Sequence, residues 1–252
     1  MTRRLLYQFP LSLYCEKTRW NLDWKGLPWQ PVNLLPGPHM LTAWRLAGQR
    51  RLPVLRDGSE HIGDSTRIAL YLDACYPERP LLPADRAQRH AVLTQEEAFD
   101  TLGEHVRRCV WSLAVDSPAV AALFFRHYDP ARHRLGQLAT PLLRQMIRRT
   151  FDVWPAPVAA SWQAVLDALA DLDARLDGNP AAYLVGDRFT LADLTAAAML
   201  GPLVGPPESP WGDDKVPATD GGERQRLRAT AAGQWVLRLY REHRVPPPLE
   251  AR

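Results

Sequence analysis

The front third of the chain breaks into short apolar runs punctuated by proline and glycine. Arg4 to Phe9 is such a run and stops at Pro10; proline cannot donate to a continuing ladder, so the run predicts a first strand. Ser12 to Lys25 sets Trp20, Leu22 and Trp24 among charged residues and ends at Gly26, where a helix C-terminus favours a left-handed residue. Trp29 to Leu34 predicts a second strand, and Pro31 puts it at a sheet edge. Leu35 to Arg51 carries Pro36, Gly37, Pro38 and Gly48, so it predicts a loop with at most a short helix at Leu41 to Leu46. Leu52 to Arg56 and Ser59 to Ile62 flank Asp57-Gly58, a pair that readily takes the positive φ angles of a tight hairpin. From Asp64 to Tyr76, Ile68, Leu72 and Cys75 recur at helical spacing until Pro77.

Strand signals nearly vanish after Pro80-Leu81-Leu82-Pro83, which reads as an interdomain linker. Helical patterns then fill Arg86 to Ala114, Pro118 to His127, roughly Leu135 to Phe151, and Val158 to Leu176. A shorter helix starts near Thr190, where Thr190 and Asp193 form an acidic capping box and Phe189 is spaced to staple against Leu194. Gly201 to Gly222 is dense in Pro, Gly and charge and predicts a surface excursion. Glu223 to His243 resumes a helical pattern with Trp235 and Leu239.

Composition narrows the function classes. A chain of 252 residues, 46% hydrophobic, fills one large core or two small ones. The N-terminus, Met1 to Gln8, lacks the uninterrupted apolar stretch of a signal peptide or membrane span, which predicts a cytosolic protein without a membrane partner. Cys15, Cys75 and Cys109 are too unevenly spaced for a disulfide framework or a zinc site, so reduced thiols and no metal are expected. The formal charge of +3 is concentrated toward the front, enough to favour a small anionic ligand. Nucleic-acid binding needs a clustered basic stripe, and none is evident; Arg144, Arg148 and Arg149 read as a solvated helix face.

Three stretches carry candidate chemistry. Ser12-Leu13-Tyr14-Cys15 falls between the first strand and the first turn of the first helix, where backbone N–H groups and the helix dipole favour an anion such as a thiolate. The Ser12 hydroxyl there either caps the helix or donates to the sulfur of a bound thiol and favours its ionised form. Tyr14 competes for the same role through its phenol, and Cys15 as a reactive thiol itself, although a helix-start cysteine is often a small core residue. Leu52-Pro53-Val54 starts a strand with proline; were its bond cis, Val54 would be free to bond a peptide-like ligand through its backbone. In Gly63-Asp64-Ser65-Thr66, Ser65 can offer hydroxyl and N–H to a carboxylate while Asp64 meets an ammonium; the same string also reads as a simple helix cap.

In order and spacing these features resemble the glutathione transferase superfamily over nearly the whole chain. FPLSLYCEKTRWNLDWKGLPWQPVNL is similar to that family's first strand, active-site turn, first helix and second strand. RLPVL resembles its cis-proline strand, IGDSTRIALYLD its γ-glutamyl site, and LVGDRFTLADL its capped core helix. The resemblance implies an α/β thioredoxin-like N-terminal domain (β-α-β-α-β-β-α, residues 1–80) that binds glutathione. It also implies an all-α C-terminal domain, residues 86–252, that shapes a hydrophobic substrate pocket.

It further implies thiol activation at Ser12, backbone bonds to the cysteinyl part at Val54, and an anchor for the γ-glutamyl group at Asp64 and Ser65. Arg51, His39 or Gln49 would meet the glycine carboxylate, and Tyr14, Trp111 and residues of the fourth helix are candidate walls for the second substrate. Leu13 stands where a serine-proline start is frequent, and Asp64 where glutamate is commoner. The implied activity is conjugation of glutathione to a small hydrophobic electrophile, as in detoxification, by a homodimer. The alternatives are a non-catalytic binding or interaction protein of the same fold and a thiol transferase using Cys15.

Overall fold

A computed structural model describes residues 4–117, 140–216 and 222–244. Four strands, β1 (Arg4–Gln8), β2 (Trp29–Asn33), β3 (Val54–Asp57) and β4 (Glu60–Gly63), form one sheet in the order β2-β1-β3-β4. β1 runs parallel to β2 and antiparallel to β3, and β3 pairs antiparallel with β4. Pro31 faces Leu6 in the register, so β2 can only be an edge strand. Asp57 pairs with Glu60, which leaves Gly58-Ser59 as the two-residue turn, and Gly58 supplies the positive φ of 63°. The turn therefore sits one residue later than Asp57-Gly58, and the first strand starts two residues later than Leu52.

Helices α1 (Leu13–Trp24), α2 (His39–Ala47) and α3 (Ser65–Cys75) complete a thioredoxin-type βαβαββα unit. α2 is longer than the sequence suggests, because Gly48 at φ 67° closes it with a left-handed cap. Beyond it lie α4 (Arg86–Ala114), α5 (Thr140–Thr150), α6 (Pro155–Leu176), α7 (Leu191–Val204), α8 (Glu223–Arg228) and α9 (Ala231–His243). The helix expected at Pro118 to His127 lies outside the described residues. α6 begins three residues earlier than expected, since Pro155 occupies the first turn, where a missing N–H costs nothing.

α7 is the core of the helical part, with every residue buried. Its start is fixed by Asp193, which accepts hydrogen bonds from the Thr190 N–H and hydroxyl at 2.8 Å and from the Leu184 N–H at 2.8 Å. Here one expectation fails: Gly201 to Val204 are not a surface excursion but the last turn of α7, and Ser209 and Trp211 are buried as well. A Cβ on Gly201 would stand 2.8 Å from the Tyr240 hydroxyl and 3.2 Å from the Trp211 ring, so glycine marks close packing there rather than a loop. Residues 217–221 lie outside the described residues.

The helical pattern over Glu223 to His243 is two helices, α8 and α9. Thr230 caps the Gly233 N–H at 3.0 Å and starts α9 afresh, and a Cβ on Gly233 would lie only 1.9 Å from the Leu227 carbonyl oxygen.

α1 is buried between the sheet with α3 on one side and α7 on the other, which is unusual for a helix holding Glu16, Lys17, Arg19 and Asp23. Each charge is met. Arg19 donates to Glu16 at 2.7 Å and to Gln8 at 2.6 Å, and Arg244, just past α9, donates to Glu16 at 2.8 Å and to Asp23. Burial alone would raise the Glu16 pKa, but Arg244 and Arg19 hold it below its ordinary value. The linker is pinned as well, with the Asp73 carboxylate accepting the N–H groups of Leu81 (2.7 Å) and Leu82 (3.2 Å) while Lys25 bonds Asp73 and the carbonyls of Tyr76 and Arg79.

Candidate functional site

A cleft of about 760 Å³ opens between the sheet-bearing part and the helical part. One wall is built by the β1–α1 turn, the loop around α2, residues 49–53 and the start of α3. Ser12 lies on it as the N-cap of α1: its backbone is extended, its Oγ accepts the Cys15 N–H at 3.3 Å, and the residue stays half-buried at the cleft. The hydroxyl hydrogen is not used in that bond, so Ser12 both caps the helix and keeps a donor. The two roles the sequence leaves open are compatible.

Its rivals are placed differently. The Tyr14 hydroxyl donates to the Asp100 carbonyl at 3.1 Å and to Glu104 at 3.2 Å, tying α1 to α4. Burial, reinforced by the Glu104 charge, pushes its pKa well up, so it remains a neutral phenol. Cys15 is fully buried, outside the cleft lining, and burial raises its thiol pKa, the opposite of what a reactive thiolate needs. Close approach of α1 and α4 behind Tyr14 depends on Gly103, where a Cβ would lie 2.5 Å from the Met199 sulfur and 2.9 Å from the Tyr14 hydroxyl.

Asp64 and Ser65 line the same wall at the N-terminus of α3. Asp64 caps that helix, one carboxylate oxygen accepting the N–H groups of Thr66 and Arg67 at 3.0 Å each, and does so at φ 73°, a conformation costing a non-glycine residue about 1 kcal/mol or more. Behind them lies a cluster the sequence reading missed. The fully buried Lys17 ammonium donates to Thr66 Oγ1 at 2.9 Å, to Asp100 at 2.6 Å and to Glu96, which also accepts the Thr66 hydroxyl at 2.8 Å. Lys17 and Glu96 look like surface residues in a helical pattern; only their burial shows that they hold α1, α3 and α4 together.

The Leu52-Pro53 bond is cis. Val54 follows in β3 with its side chain fully buried, and Leu52 and Pro53 are the members of that trio that line the cleft. Of the three residues weighed for a carboxylate contact, Arg51 is exposed at the cleft rim. His39 packs edge-on against Phe9 with ring centroids 4.7 Å apart and accepts the Gly37 N–H on Nδ1 at 3.1 Å, which leaves its proton on Nε2; burial lowers its pKa. Gln49 turns its amide to the backbone, donating to the carbonyls of Arg51 (2.9 Å) and Pro53 (3.2 Å), and packs against Gly63. Its side chain shapes the loop.

The opposite wall comes from α4, α5 and residues of the 202–216 and 223–227 stretches. Trp111 and Phe151 stack with planes 5° apart and centroids 6.2 Å apart. The Arg107 guanidinium lies 4.3 Å from the centre of the Phe151 ring and 5.7 Å from that of Tyr14, and it pairs with Glu104. Asp100, Glu104, Arg107 and Trp111 recur every three or four residues of α4, so their shared face was available from spacing, but only Trp111 was singled out from the sequence. Among the described residues there is no His/Cys/Asp/Glu group arranged to hold a metal ion, and no helix is long and apolar enough to cross a membrane.

Comparisons with known proteins agree with this architecture. Residues 6–80 match the family Glutathione S-transferase, N-terminal domain, and residues 155–217 match Glutathione S-transferase, C-terminal domain, so the two spans together cover more than half the chain. The chain is 39% identical over 87 residues to glutathione S-transferase Z2 of Arabidopsis thaliana, a stretch that is 33% of this chain and only 39% of that relative's length. It is 25% identical over 218 residues to glutathione S-transferase TCHQD of the same plant, across 79% of this chain and 76% of the relative. Among solved structures, a glutathione S-transferase of Ceriporiopsis subvermispora in complex with glutathione superposes with a TM-score of 0.64 at 20% identity, covering 97% of this chain and 99% of that one, which speaks for the fold. This chain belongs to the glutathione S-transferase superfamily.

Proposed function

We propose that the protein binds glutathione along the sheet-side wall and conjugates its thiolate to a small hydrophobic electrophile held against the helical wall. In this reading residues 1–80 are the glutathione-binding domain and residues 86–252 the helical domain that shapes the second subsite. The observation that carries it is the convergence of Ser12, the 50–53 loop, Asp64 and Ser65 on one wall of a single 760 Å³ cleft. Two helix N-termini point their free N–H groups there, one at Ser12 and one at Ser65, suited to a thiolate and a carboxylate some distance apart on one ligand.

The Ser12 hydroxyl donates to the glutathione sulfur and lowers the cost of the thiolate. Ser65 receives the γ-glutamyl carboxylate, while the second oxygen of Asp64, unused in capping, meets the ammonium. His39 donates through Nε2 to the glycine carboxylate, or Arg51 meets it at the rim. The sulfur then forms a bond to the electrophilic carbon as the leaving group departs with its electron pair, and holding both reactants in one cleft supplies much of the acceleration. A glutathione-bound relative of the same fold supports the first half of this reading, and the burial of Cys15 argues against a Cys15-based thiol transferase. The reading extends to a cytoplasmic homodimer.

Calorimetry with glutathione and an assay of conjugation to a generic aryl halide test it. Binding at or below millimolar concentration is expected, with conjugation retained by Cys15→Ala and reduced in Ser12→Ala. Absence of glutathione binding at millimolar concentration sinks the proposal. Binding without conjugation of any electrophile would leave a non-catalytic member of the superfamily.

A further inference from the structure

The helical wall is not what a purely greasy substrate requires. A hydrocarbon subsite is best lined by apolar side chains, yet Arg107 is set into this wall against the faces of Phe151 and Tyr14. Desolvation pulls its pKa below the ordinary value, so burying the charge costs free energy that the fold must offset. Among the described residues its hydrogen-bonded ion partner is Glu104, which is itself 44% exposed on its side chain and already accepts the Tyr14 hydroxyl. Arg107 Nε is buried with no hydrogen-bond partner among the described residues, and Arg51 on the facing wall adds a second positive charge close enough to act on Arg107. Beside the guanidinium the rings of Phe151 and Trp111 stack with near-parallel planes, and both residues line the cleft.

We infer that this wall selects a planar aromatic electrophile bearing an acidic group, a benzoate-type compound, whose ring lies on Phe151 and Trp111 and whose carboxylate meets Arg107. This rests on the transferase reading and names the class of its second substrate. The carboxylate replaces water at the guanidinium and balances a charge that Glu104 balances only in part. A planar fork suits that carboxylate better than an ammonium would. Arg107 is then the residue that sets specificity, and the sheet-side wall takes no part in the choice.

The test compares nitrobenzoate with nitrobenzamide, isosteric and unreactive, binding to the full chain with S-methylglutathione saturating the peptide subsite. The wild type is expected to favour the benzoate roughly ten-fold, the yield of one well-made charged hydrogen-bond pair. Arg107→Met collapses that ratio to about one and Arg107→Lys keeps part of it, as a point charge in place of a fork would. Glu104→Gln, which leaves the Arg107 charge unpaired, raises the ratio, and circular dichroism verifies that each variant is folded. Equal binding of the two probes by the wild type, or a ratio that survives Arg107→Met, overturns the inference. Conjugation of a chloronitrobenzoate is followed in parallel: a binding ratio that behaves as described without any conjugation removes the transferase reading and leaves the acid site standing.

Discussion

The two walls of the cleft are made of different material. On the sheet side the chemistry is carried by backbone and short side chains: the capped starts of α1 and α3, hydroxyls of Ser12 and Ser65, and the cis-proline loop braced by Gln49. On the helical side it is carried by large side chains on helix faces, Arg107 and Glu104 of α4 with the rings of Trp111 and Phe151. Backbone groups are fixed by the fold and can recognise only a ligand of constant shape. Side chains on a helix face are exchangeable without disturbing the helix, so the same fold can hold one invariant ligand on the first wall and a chosen one on the second.

The comparison is broken most severely by uncoupling the walls. Arg244→Ala strands Asp23 inside α1 without its cation, leaves Glu16 to Arg19 alone, and is expected to cost about 3–5 kcal/mol, read as a lowered midpoint in urea unfolding. Next in size, Ser12→Ala is expected to lower kcat/KM for an aryl halide by roughly 100-fold, with the glutathione Kd from calorimetry moving much less; equal losses in both would mean that Ser12 only shapes the turn. Tyr14→Phe removes the hydroxyl that joins α1 to α4 and costs about 1 kcal/mol of stability, while steady-state assays find conjugation retained. A large loss of conjugation there would return the thiol-activating role to Tyr14.

The smallest effect is in pH. His39 and His243 both have folded pKa values held below the free value by burial, so the unfolded chain takes up protons first. Their contribution to stability is present above about pH 6.5 and is lost as the pH falls from there through the lower folded values. Thermal melts across that window should show the decline, and His39→Gln should flatten part of it.

Much of the first wall was legible because its signals are local. Pro31 does mark an edge strand and Asp64 does cap a helix at the cleft, while in the helical part Thr190 and Asp193 likewise cap a buried helix. The second wall was not, because no local rule distinguishes a helix face turned to a cleft from one turned to water or core; Arg107 and Glu104 read as an ordinary i, i+3 surface pair. The same blindness hid the inside of α1, whose Lys17, Glu16 and Asp23 draw ion partners from Glu96, Asp100 and Arg244, far away in sequence. At Gly201 the breaker rule misled because glycine was selected by packing distance, not by backbone freedom.

Gly103 carries this furthest. With Tyr14 and Met199 pressed against the place where its Cβ would be, the distance between the two walls is set by a carbon atom that is absent. A larger residue there displaces the ends of the Met199 and Tyr14 side chains, and Tyr14 lines the cleft, so the aperture available to a second substrate can be retuned from a position outside the cleft lining.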